Sequence, residues 1–533
     1  MPIRSKRQGV HALPTELLTR VLGHLAARER AVAEVVCQRW RRVLSRPDTL
    51  SGVVEAKFTH DRSRQLPAFC AWLQRRLGSG GTVANMAAAR MPRPLPPAEL
   101  CLQLSQPPTA PDAATNMMSL AMLLGAAGSR LTGVDLQLST AFCGSGGGSG
   151  SSGALQLDIL CLPLSAATRL AIQAPAIDLS DGLAHLTGLQ ELCLEYDSLT
   201  SRVGTPASCN TGRTGGGGHS PSCNGSTTAE SSSALGCSPQ HGCSSAEPQP
   251  LLRLPTGLTR VELLGCPEPG FHQPLPQLRH LFSSRHTALL DLDLSYNSPA
   301  SCDDLAGFGC LNRLQRLVWR GAAGFGLAAL PPQLSGLAQL SYLDLSVMAF
   351  RQEDVALLAC LTGLRALGLE ATGNQPAQLD FADLALPRLE VLSLERVEFV
   401  LDSACEAPFW STLHTLQADS ATVGGLWVFD LEESYLSRRV AASFCWVCLE
   451  ELRHVVVTNM NSVAALEDAV KGLADMAGLR RLTVPCFACS HRLAEALMGL
   501  AQQRPALQVK VVKREMLDLE ELCQAAGLPL VPA

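Results

Sequence analysis

The stretch "LLDLDLSYN", Leu289 to Asn297, puts leucine at 289, 292 and 294 and asparagine at 297. In an extended chain successive side chains point to opposite faces. Leu292 and Leu294 therefore share one face, and Asp291 and Asp293 share the other. The same offsets return at Leu314/Leu317/Trp319, Leu340/Leu343/Leu345, Leu364/Leu367/Leu369, Leu389/Leu392/Leu394 and Leu413/Leu416/Ala418. Their first positions, 289, 314, 340, 364, 389 and 413, lie 24 to 26 residues apart. A step kept this closely is an internal repeat, in which each unit buries its apolar face only against its neighbours.

Looser copies extend the series. Leu452/Val455/Val457, Leu479/Leu482/Val484 and Leu507/Val509/Val511 lie downstream. Upstream stand Leu258/Val261/Leu263 and Leu189/Leu192/Leu194, then the weaker Ala167/Leu170/Ile172 and Leu131/Val134/Leu136. Cys266 fills the slot that Asn297 fills in its own unit. This pattern resembles the leucine-rich repeat over residues 96–512. The resemblance implies an α/β repeat solenoid, curved with its strands inside. The step and helical patterns such as "EDVALLACLTGL" (353–364) point to the ribonuclease-inhibitor-like class, with a helix in each repeat. Two stretches break the step, "CGSGGGSGSSG" at 143–153 and the Gly/Ser/Thr/Pro-dominated 201–250. Both are expected to be disordered loop insertions, because such composition buries too little apolar surface to fold.

The front of the chain, "LPTELLTRVLGHLAARERAVAEVVCQRWRRVL" (13–44), is too short for a large core of its own. Pro14 suits a first helical turn. Leu17, Leu18, Val21, Leu22 and Leu25 then recur at helical steps, and Val35, Val36, Cys37 and Trp40 repeat this on a later helix. Leu-Pro-x-Glu-Leu-Leu at 13–18, Val-Leu at 21–22 and Val-Cys-x-x-Trp at 36–40 resemble the F-box, over residues 12–52. The run Glu29-Arg30-Ala31-Val32 departs from that family's pattern and offers less apolar surface. The resemblance implies three helices that dock a Skp-type adaptor and, through it, a cullin. Leu13, Pro14, Leu17, Leu18, Val21, Leu22, Leu25, Val36 and Trp40 would carry that contact. The repeats would then select a protein substrate, making the chain a non-catalytic substrate receptor of a Skp–cullin–F-box ubiquitin ligase, with protein ubiquitination and proteasomal degradation as the outcome. The alternative is a leucine-rich scaffold with no ubiquitin-related role, its front a small helical cap. The remaining segments are a basic tail (1–11), a connecting helical segment (53–95) with an amphipathic helix at 66–78, and a C-terminal cap (513–533).

Composition narrows the choice further. Of 533 residues 47% are hydrophobic and 17% charged, which is a folded chain. A net charge of −5 argues against general nucleic-acid binding. "MPIRSKRQGV" precedes no apolar signal region, and the longest apolar run, 117–128, falls short of a membrane span. The expectation is a protein of the cytoplasm or nucleus with reduced cysteines and no membrane partner. No phosphate-binding, zinc-protease or hydrolase motif is present, and no cofactor is expected. Cys445/Cys448 and Cys486/Cys489 are the sharpest metal candidates. Their separation exceeds the usual zinc-ribbon spacing, and buried free cysteine is the simpler reading.

On the concave face, the residues beside the core leucines are the candidate substrate contacts. These are Glu191, Glu195, Glu262, Asp291, Asp293, Asp344, Glu370 and Glu395, with Arg316 and Arg320 as cations and Val318 and Tyr342 as apolar contacts. With Asp419 the acids outnumber the bases Arg260, Arg316, Arg320 and Arg481, which leaves two readings: a face charged only for solubility, or a negative groove that attracts a basic segment of the substrate.

Overall fold

The computed structural model describes Leu22 and residues 52–59, 65–78, 98–104, 110–139, 155–161, 163–179, 181–200, 254–266, 281–282, 286–297, 308–321, 332–348, 350–371, 377–379, 384–395, 397–399, 412–418, 454–457, 478–485, 491–512 and 518–528. The three-helix expectation at 12–52, apart from Leu22 and the strand residue Gly52, lies outside these residues. So do the two low-complexity insertions and the paired cysteines.

The chain opens with β1 (Gly52–Phe58), α1 (Leu66–Gly78), β2 (Ala98–Leu104), α2 (Ala110–Ala127), β3 (Leu131–Leu138), β4 (Leu155–Gln156) and α3 (Leu157–Cys161). It continues through β5 (Arg169–Gln173), β6 (Ala176–Asp178), β7 (Glu191–Glu195), β8 (Ser198–Thr200), β9 (Arg260–Leu264), β10 (Asp291–Asp293), β11 (Arg316–Val318) and β12 (Tyr342–Met348). After α4 (Gln352–Ala359) come β13 (Ala366–Ala371), β14 (Ala377–Leu379), β15 (Val391–Glu395), β16 (Val397–Phe399), β17 (Thr415–Ala418), β18 (His454–Val457) and β19 (Arg481–Pro485). The chain closes with α5 (His491–Gln503), β20 (Gln508–Val512) and α6 (Leu519–Ala526).

One 15-stranded sheet runs in the order β1-β2-β3-β5-β7-β9-β10-β11-β12-β13-β15-β17-β18-β19-β20. Neighbours along the sheet pair in parallel, and the order never reverses, which is the topology of a solenoid. Smaller sheets join β4-β6-β8 and β14-β16. The repeat leucines Leu194, Leu292, Leu317, Leu343, Leu367 and Leu394 are 0–1% exposed and belong to one core that runs from Val54 to Leu507. Each such burial stabilises by roughly 1.5–3 kcal/mol, so the stack is held by its interior.

Asn297 shows why that repeat slot is polar. Its Nδ2 donates to the main-chain oxygens of Leu294 (3.2 Å), Ser295 (3.1 Å) and Leu263, and its Oδ1 accepts from Tyr196 Oη at 2.8 Å. Trp319 Nε1 donates to the Asn297 carbonyl at 3.0 Å. One buried amide thus satisfies turn groups of two adjacent repeats.

The structure departs from the sequence reading in three places. First, the sheet starts at Gly52, not at residue 96. β1 buries Val54, Ala56 and Phe58 and exposes Glu55 and Lys57, a strand alternation without leucine. Phe69 of α1 meets Phe58 edge-on at 5.3 Å and Trp72 at 5.5 Å, which fixes the expected 66–78 helix onto β1. Second, a helix does not occupy each repeat: Asp181–His185 and Pro332–Gly336 are single 3-10 turns. Third, the described part of the expected C-terminal cap is a helix, α6, that lies on the strands themselves, against Val318, Tyr342, Ala366 and Val391.

Candidate protein-binding site

Parallel register aligns the outward side chains of the main sheet into lanes. One lane runs Arg169, Glu191, Arg260, Asp291, Arg316, Tyr342, Ala366 and Val391. The lane beside it runs Asp135, Ala171, Cys193, Glu262, Asp293, Val318, Asp344, Gly368 and Ser393. In the first lane charge alternates from strand to strand. Arg169 Nε lies 3.6 Å from Glu191, Arg260 pairs with Glu262 and stands 3.5 Å from Asp291, and Arg316 Nη1 donates to Asp291 at 2.7 Å. The acid excess read from sequence is therefore largely neutralised by arginines in the same lane, Arg169 among them. That residue sits in a weak repeat and was not among the candidates.

The lanes divide into an open and a covered half. On β5 and β7 the outer lane positions are exposed, whereas every residue of β11 is buried. The cover is α6. Leu519, Leu522, Cys523 and Leu528 form one buried cluster with Val318, Tyr342, Ala366 and Val391. Glu520 lies 3.3 Å from Arg316 Nη2, Asp518 lies 3.4 Å from Arg320 Nη1, and Arg481 Nη1 donates to the Ala525 carbonyl at 3.5 Å. Gly368 allows the approach, since a Cβ there would stand 3.1 Å from Leu519 Cδ2. The helix is well begun and well ended. Asp518 N–H donates to Glu521 at 3.4 Å, and Gly527 stops it at φ 77°.

Each candidate contact can now be placed. Glu191 and Glu195 are exposed, and Glu195 accepts from Gln173 Nε2 at 2.7 Å. Glu262, Asp293, Arg320 and Glu370 are half-buried, and Glu395 ends β15. Asp291, Arg316, Val318, Tyr342 and Asp344 are buried. Val318 and Tyr342 are thus not free apolar contacts, because α6 already covers them. Asp291 and Asp344 are not free carboxylates, because Arg316 and Arg320 hold them at 2.7 Å. Burial works against the charge of both arginines, yet these carboxylates more than offset it and keep their pKa values above the ordinary one. Burial also pushes Asp293 and Asp135 upward, opposed by the Ser295 hydrogen bonds and by Arg169 respectively.

The open half holds two shallow clefts. One, of about 240 Å³, is lined by Asp135, Glu191 and Glu262 and by Arg169, Arg260 and Gln173, so its charges are mixed. The other, of about 490 Å³, follows the next lane past Gln103, Gln137, Gln173, Glu195 and Asp197. Among the described residues no group of His, Cys, Asp and Glu is arranged to hold a metal, and no helix is long and apolar enough to cross a membrane. Of the expected adaptor contacts only Leu22 is described. It is helical and 1% exposed, so it already fills an interior. Leu13, Pro14, Leu17, Leu18, Val21, Leu25, Val36 and Trp40 lie outside the described residues.

No curated protein matches the chain. Among solved structures, an internalin of Listeria monocytogenes is similar at 13% identity, over 75% of this chain and 80% of that one, with a TM-score of 0.31. A leucine-rich-repeat protein of Leptospira interrogans is similar at 12% identity over 77% and 89%, with a TM-score of 0.33. An F-box-like family model matches residues 10–50, so the chain carries an F-box-like domain that ends just before the first strand of its solenoid.

Proposed function

We propose that this protein is the substrate-recognition subunit of a Skp–cullin–F-box ubiquitin ligase. The observation that carries the reading is the F-box-like match at 10–50, joined directly to a repeat sheet that begins at Gly52. The F-box-like segment would hold a Skp-type adaptor and, through it, a cullin. The open lanes of β3 to β9 would receive the protein substrate. Glu195 and Asp197, in the cleft whose lining holds glutamines and no arginine or lysine, suit an extended segment with basic side chains. The transfer chemistry belongs to the partners, so the chain needs no catalytic group. Its setting on this reading is the cytoplasm or nucleus.

The adaptor contact concentrates in a few apolar anchors, as interfaces do. Changing Leu13 and Pro14 together to Ala is expected to abolish co-purification of a Skp-type adaptor while the repeat sheet keeps its melting temperature. Full adaptor recovery by that variant overturns the assignment. A wild-type chain that captures other proteins but never the adaptor supports a scaffold instead.

A further inference from the structure

We infer that the covered half of the main sheet's outer lanes, on β11 to β15, is a binding site for a short amphipathic helix of a partner protein, with α6 as its reversible internal occupant. The partner helix would carry an acidic first turn and apolar side chains at spacings i, i+3 and i+4. This site is separate from the open lanes assigned to substrate above, and it holds whether or not the adaptor reading does.

The receptor face is complete without α6. Arg316 is held by Asp291 at 2.7 Å and lies over the Tyr342 ring at 5.0 Å, and Arg320 is held by Asp344 at 2.7 Å. Both guanidiniums are therefore aimed before any helix arrives, so an incoming ligand need not order them. Val318, Tyr342, Ala366 and Val391 supply the apolar floor between them. Gly368 leaves room at its centre.

α6 is a light occupant of that face. It has eight residues, below the length at which a helix is stable alone, so its order depends on the groove. Its ion pairs use carboxylates that stay wet, Glu520 at 44% and Asp518 at 61% side-chain exposure, so they hold it weakly. It also fits imperfectly. Tyr342 Oη is buried and has no hydrogen-bond partner, although the ring is 2% exposed. A buried hydroxyl left unmatched costs free energy. A partner helix that brings an acceptor over Tyr342, in place of the apolar contact α6 provides, would satisfy it and displace α6.

The test uses the full chain and a labelled synthetic peptide of residues 513–533 as probe. In the wild type, α6 fills the groove, and the peptide's apparent affinity is reduced by the fraction of time the groove is empty. In Leu519→Asp/Leu522→Asp the internal helix is unseated, and peptide affinity is expected to rise at least roughly tenfold. Adding Arg320→Glu to that variant should remove the gain. A folded double variant that binds the peptide no better than wild type overturns the inference. So does a double variant that fails to fold, since α6 would then be a structural part. Hydrogen exchange on the wild type gives a second reading. Amides of 522–526 are expected to exchange at least about a hundredfold faster than those of Leu367 and Leu369. Equal protection in both places overturns the inference independently of any variant.

Discussion

At the scale of single residues, two buried polar groups make opposite predictions. Asn297 is fully buried and serves carbonyls of two repeats, besides accepting from Tyr196. Asn297→Ala leaves those groups unmatched and should cost about 3 kcal/mol in denaturant unfolding. Tyr342 is the reverse case, because its hydroxyl has nothing to lose. Tyr342→Phe should stay within about 1 kcal/mol of the parent, on the stabilising side; a clear loss would show that the hydroxyl is bonded in solution. Buried thiols bear on the alkaline limit, Cys70 and Cys523 among them. Burial pushes Cys70 up from 9.0 to about 12, and burial, with Asp344 and Glu520, does the same to Cys523. Above pH 9.0 the unfolded chain sheds these protons while the folded chain keeps them, so stability falls as pH rises toward about 12. Melting temperatures should therefore decline through that window, and Cys70→Ala should make the decline shallower.

At the scale of elements, the repeat strands were legible because leucine at fixed offsets is both the core requirement and the visible pattern. β1 was not, because Val54, Ala56 and Phe58 meet the same requirement without leucine. The apolar face of α6, Leu519, Leu522 and Cys523 with Gly527 after it, was visible in the sequence, although the segment was read there only as a cap. Its seat was not, since nothing local says which distant strands an apolar face will meet. The acidic groove misled for a related reason. Counting acids on strands ignores the register that sets Arg169, Arg260 and Arg316 beside them. Register also decides the fate of residues 201–250. β7 and β9 pair directly, Glu191 with Arg260 and Leu194 with Leu263, so the intervening chain starts and ends at adjacent strands. Replacing 201–250 with a short Gly-Ser linker should move the melting temperature by no more than about 2 °C, since loop closure changes by only about 0.6 kcal/mol per doubling of length. A larger loss would mean that the insertion packs on the stack.

At the scale of the molecule, each strand of the main sheet pairs only with its neighbours, so stability is close to a sum over adjacent repeats. The ends should open first. Native-state hydrogen exchange is expected to show the slowest amides in β9 to β13 and progressively faster ones toward β1 and β20. Uniform protection along the sheet would mean that the stack opens only as a whole.

The seat of α6 has a consequence for the chain while it is being made. Glu520 meets Arg316 across 204 residues of sequence. The floor is complete only at Val391, and Leu519 opens its cover, so at about 5–20 residues per second roughly 6–26 s separate the two. Throughout that interval the nascent protein presents Val318, Tyr342 and two anchored guanidiniums to the surrounding cell with nothing of its own to lay over them. A protein that needs this face has its clearest access then, before the ribosome has finished.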